Sequence, residues 1–110
     1  MASSDATFER ELRALFPRWR ECARLGQGRV PALMTSHGAV GAARQLLRKP
    51  DLSPVFVRLR DAGCLEATVE FLVLRTEFGA LFTPEERAIA RRKLTENGMP
   101  RANLPLEPYA

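Results

Sequence analysis

The chain holds one histidine, His37, and two cysteines, Cys22 and Cys64, and these are the side chains that could support nucleophilic or metal chemistry. A cysteine attacks as its thiolate, and a neighbouring imidazole that takes the proton is the usual activator. Cys22 or Cys64 beside His37 would make such a pair if folding brought them together, which spacing along the chain neither ensures nor forbids. A metal site has less support. A lone histidine needs thiolate or carboxylate partners at helical spacing, and no H-x-x-x-H, H-x-x-E or C-x-x-C arrangement occurs. A phosphate loop, a nucleophile elbow and a paired-acid motif are also missing. The expectation is therefore a protein that is not an enzyme, with no catalytic residue, cofactor or metal, and with His37 as a helix-junction residue before Gly38.

Phosphate recognition is the next chemistry to weigh. Of 17 cationic residues only Lys49 and Lys93 are lysines, and the formal net charge is +4. Arginine forks onto phosphate oxygens, so the bias is compatible with nucleic-acid binding. GC-rich coding produces the same bias, and the interleaving of 13 acidic residues with the basic ones favours that source. Arg44, Arg48, Arg58 and Arg60 are the candidate nucleic-acid contacts. They sit in GAVGAARQLL followed by SPVFVRL, which resembles the first two helices of bacterial helix-turn-helix regulators, a small-residue Ala-Ala helix packed under a serine-started recognition helix. That resemblance covers residues 38–63 and implies DNA binding. The connection LRKPDL is longer than the usual turn, and Val55 and Val57 stand where base-reading polar side chains belong. Arg58 and Arg60 would then reach phosphates without specifying bases.

Protein contact is the remaining chemistry, and its candidates are Trp19, Arg87 and Arg91. Trp19 lies on an apolar stripe and reads as core unless a bend at Pro17 turns it outward as an interface anchor. Arg87 and Arg91, with Arg92, form a basic stripe on the last predicted helix. Glu85, Glu86 and Glu96 partly neutralise that stripe, whose ordinary meaning is a solvated face.

The elements that must position these residues are all helical. Phe8, Leu12, Leu15, Phe16 and Trp19 recur at helical spacing from a start at Ser4 or Asp5, with a break or kink expected near Phe16 because Pro17 follows. The pattern resumes to about Leu25. Pro31 opens a short helix that His37-Gly38 closes, and residues 39–48 form the next, with Val40, Ala43, Leu46 and Leu47 inward. Ser53-Pro54 starts a fourth helix ending at Gly63. The run EATVEFLVL predicts a fifth over residues 66–74, in preference to a strand that would have no partner. Thr83-Pro84-Glu85-Glu86 combines a cap, a first-turn proline and a capping-box glutamate. The helix it opens carries Ile89, Ala90 and Leu94 inward, with Arg87, Arg91, Arg92 and Lys93 toward water. Residues 99–110, rich in proline and without periodicity, predict an extended, loosely held tail.

At 110 residues this is one all-α domain over residues 1–98, an irregular bundle of five to seven short helices. No run is apolar enough to cross a membrane and no secretory leader is read, so Cys22 and Cys64 are expected as reduced core thiols in the cytoplasm, with a disulfide between them as the lesser option. His37-Gly38-Ala39-Val40, Ala42-Ala43-Arg44, Leu46-Leu47, Phe56, Leu59, Gly63-Cys64-Leu65, Thr68-Val69-Glu70, Leu81-Phe82-Thr83 and Glu85-Glu86-Arg87 together resemble a widespread group of small bacterial helical proteins for which no activity is established. The match spans about residues 30–98; Cys64 takes a polar position of the pattern, and residues beyond Pro100 fall outside it. It implies a bacterial accessory or recruiting module. The functional expectation is a non-enzymatic helical module that binds another protein, with a helix-turn-helix-like nucleic-acid binder as the alternative. Convergence of Arg44, Arg48, Arg58 and Arg60 on one surface would favour the alternative.

Overall fold

Phe8, Leu12, Leu15 and Trp19 fall on one face of the first helix, and in the computed structural model, which describes residues 4–105, all four are buried. This helix, α1 (Ser4–Ala23), is followed by α2 (Val30–Arg48), α3 (Pro54–Asp61), α4 (Val69–Val73) and α5 (Pro84–Glu96). Short 3-10 turns cover Leu65–Ala67, Thr76–Leu81 and Arg101–Asn103. No strand occurs among the described residues, and the architecture is an all-α irregular bundle. α1 packs on α2, α3 and α4, while α5 closes the other side against α2 and α4. At the centre, Phe8 meets Phe78 and Phe82 edge-on, with centroids 5.1 and 5.3 Å apart.

Local chemistry explains most boundaries. Ser53 and Thr83 cap α3 and α5, and the Thr83 capping box is complete: Glu86 donates its backbone N–H to Thr83 Oγ1 (3.0 Å), and Thr83 donates its own to Glu86 Oε1 (2.9 Å). α2 contains the two predicted helices, joined at Gly38, whose φ of 74° and ψ of 170° are non-helical.

Several expectations are corrected. α1 runs unbroken through Pro17. The buried stripe continues on both sides of the proline, from Leu15 to Trp19, and Pro17 itself faces solvent, so core burial outweighs the missing hydrogen bond. The helix predicted over residues 66–74 begins only at Val69, because the Thr68 hydroxyl accepts the Phe71 N–H and donates to Leu65 O, ending the 3-10 turn before it. The tail is held further than residue 98. Met99 is buried and donates its N–H to Leu94 O, and Leu104 packs against the core; residues 106–110 lie outside the described residues.

The cysteines are not separate core thiols. Cys22, exposed near the end of α1, forms a disulfide with half-buried Cys64, their Cα atoms 6.6 Å apart. The end of α1 lies beside α3, where Arg58 Nη2 donates to Ala23 O (3.3 Å), and this packing brings together cysteines 42 positions apart.

Candidate functional site

The four arginines of the helix-turn-helix-like stretch do not share a surface task. Arg44 and Arg48, one turn apart on α2, both donate to the buried Glu86 carboxylate, and Arg44 also donates to Leu81 O (3.0 Å). Arg58 is turned to the end of α1, and Arg60 donates to Asp61 Oδ1 (3.1 Å) and Asn97 Oδ1 (2.8 Å). The Glu86 carboxyl feels opposing influences. Burial disfavours its charge, but hydrogen bonds from Arg44, the Thr83 N–H and Arg48 prevail and hold it below the ordinary carboxylate range.

Two of the three interface candidates are interior. Trp19 is fully buried and donates its indole N–H to Ala67 O at 2.7 Å, which fits the core alternative. Arg87, expected to face water, is 2% exposed and donates to Gly79 O (2.7 Å) and to Phe82 O. Those carbonyls belong to the 3-10 segment before α5 and to the residue that follows it, and a buried carbonyl without a donor is costly, so a long forked donor is drawn inward. Arg91 is half-buried. His37 is exposed beside Gly38, on a different part of the chain from the disulfide, and no cluster of three or more metal-ligating side chains occurs among the described residues.

The feature missed from sequence is a cleft of about 340 Å³ between α2, the connection after it, and the starts of α3 and α4. Val30, Leu33, Leu46, Leu52, Val55 and Val69 line it, with Arg29, Lys49 and Asp51 exposed at its edge. Leu33 and Leu46 are both on α2. Along a straight helix they would stand roughly 20 Å apart. Both line one cavity because the element turns at Gly38, so the glycine that divides α2 also builds the cleft.

Glu70 contributes the cleft's buried acid. It is 4% exposed, and Lys93 Nζ lies 3.8 Å from its carboxylate while donating to Leu46 O (3.1 Å). Burial pushes the Glu70 carboxyl above its usual range, against the pull of the Lys93 ammonium. Lys93 was expected in water; its side chain is only 12% exposed. One acid inside the apolar run TVEFLVL was the available signal, but nothing local identified its partner 23 positions on.

A mostly apolar cavity of this size suits insertion of apolar side chains or a small ligand. No helix among the described residues is long and apolar enough to cross a membrane. No protein-family model, curated protein or solved structure matches the chain.

Proposed function

We propose that the protein is a non-enzymatic interaction module that docks another protein through the cleft between α2, α3 and α4. The observation that carries this reading is the cleft itself: Leu33, Leu46, Leu52 and Val55 stay partly open to solvent around one concavity that the buried Val30 and Val69 also line. The dispersal of Arg44, Arg48, Arg58 and Arg60 supports it over the nucleic-acid alternative, since each already holds a carboxylate, an amide or a carbonyl of the fold. On the likeness of residues 30–98 to bacterial helical proteins, the module works in the cytoplasm, a compartment in which a disulfide such as Cys22–Cys64 is uncommon.

The test is affinity capture from the source cells after nuclease treatment, comparing the native protein with Leu52→Asp, which places a charge in the cleft. Protein partners captured by the native chain and lost with Leu52→Asp are the expected result. Partners retained by Leu52→Asp, or sequence-selective submicromolar binding to DNA duplexes that Arg58→Ala and Arg60→Ala abolish, would overturn the reading.

A further inference from the structure

The cleft does not stand alone. Leu52 and Lys49 also line a second concavity of about 390 Å³, between the end of α2 and α5, where Ile89 supplies apolar surface and Arg48 and Arg92 supply charge. The two adjoin at Leu52 and Lys49, which line both, and are taken together as one trough. Two adjoining apolar recesses suit the side chains of a helix, which recur three and four residues apart.

Its charges are uneven. Arg48 is bound to Glu86 and Lys93 to Glu70, so those cations are satisfied within the fold. Arg29, Lys49 and Arg92 line the trough and enter no ion pair among the described residues. Asp51 and Glu96 interrupt this cationic edge, leaving Lys49 and Arg92 as the positions where an incoming anion gains most. We propose that the trough receives an acidic amphipathic peptide segment of the partner protein, with apolar side chains entering between Leu33 and Val55 and carboxylates lying over Lys49 and Arg92. The inference rests on the docking reading and adds the partner's chemistry to it. A second copy of this chain seated face to face fits poorly, because it would bring its own Arg29, Lys49 and Arg92 against the same cations of the rim.

The probe is a short fluorescent helix-forming peptide with leucines at positions i, i+4 and i+7 and glutamates elsewhere, compared with a twin carrying lysines in place of the glutamates. Anisotropy titrations at low and physiological salt use the native protein, the exposed-site double variant Lys49→Glu/Arg92→Glu, and Leu52→Asp, each checked for helicity by circular dichroism. The acidic peptide is expected to bind at least about tenfold more tightly than its lysine twin, to weaken with salt, and to lose that preference in the double variant. Equal binding of the two peptides would overturn the acidic partner while leaving docking to the capture experiment. Binding of neither peptide would overturn it too, as would displacement of the acidic peptide by a DNA duplex or by a small apolar probe such as indole. A dimer that Leu52→Asp dissociates would assign the trough to a second copy instead. If Leu52→Asp fails to fold, the double variant, which alters two exposed side chains, still decides the charge preference.

Discussion

Gly38→Ala is the sharpest single perturbation of the cleft. At φ 74° and ψ 170°, Gly38 occupies backbone space that is essentially closed to residues with a side chain. A Cβ placed there meets no atom within 4 Å, so the penalty comes from the backbone alone, with no contribution from crowding. Strain of this kind costs on the order of 1–3 kcal/mol, a sizeable part of the marginal stability of a domain this small. If the chain instead relaxes to helical values at residue 38, the two halves of α2 straighten and Leu33 moves away from Leu46, so lost stability and a lost cleft are alternative responses to one strain. Urea denaturation measures the first and binding of the acidic peptide the second. Gly26→Ala is the control, since Gly26 also has open space at its Cβ and does not occupy the left-handed region; it is expected to shift stability by less than about 0.5 kcal/mol. A Gly38→Ala protein with native midpoint and native peptide affinity would refute the account of how the cleft is built.

Two further perturbations address how the bundle is held. Glu86→Gln should cost about 1.5–3 kcal/mol, because Arg44 and Arg48 lose a charged acceptor that is itself buried. Its folded carboxyl titrates below the ordinary value near 4.5, so this stabilisation is complete above that pH and is lost as pH falls through the folded value; the variant's acid denaturation, followed by circular dichroism, should show a correspondingly flatter limb below pH 4.5. Cys22→Ser, or reduction of the native chain, should remove up to about 4 kcal/mol, the loop-closure value for cysteines 42 positions apart. The helical spectrum should persist in both, since neither sulfur belongs to the buried core, and equal urea midpoints with and without reductant would mean the link adds nothing.

The fold was legible wherever a short motif carries its own hydrogen-bond partner or its own periodicity. The Thr83–Glu86 box, the Ser53-Pro54 start, the 8/12/15/19 stripe and the break at Gly38 all depend on residues within a few positions of each other. Where competing signals met, tertiary burial decided. Pro17 should have broken α1, but the residues before and after it share one core face. Thr68 lay inside a run that reads as continuous helix, and its role as a cap emerged only because the chain turns there to place Ala67 O against Trp19. The cleft was illegible for a related reason: Leu33, Leu46, Val55 and Val69 each fit a helix's apolar face while Leu52 lies in a connection, and no pattern within a helix reveals that another element fails to cover that face.

The arginines show how far charge can mislead when it is read along the chain. The Thr76–Leu81 turn and the residues after it expose carbonyls of Gly79, Leu81 and Phe82 toward the interior, where an α-helix would have satisfied them. Arg87 and Arg44 supply donors to all three, and Arg44 also reaches the Glu86 carboxylate, which in turn caps α5. Lysine has the charge for this but not the planar fork of several donors that can serve a carboxylate and a carbonyl together. The helical wheel put Arg87 in water because periodicity counts apolar residues, whereas burial here follows unsatisfied carbonyls. A net charge of +4 is therefore a poor guide to the partner's charge, since much of it is spent inside the fold. The guide is what remains unpaired around an open apolar surface, and at the trough that is Arg29, Lys49 and Arg92.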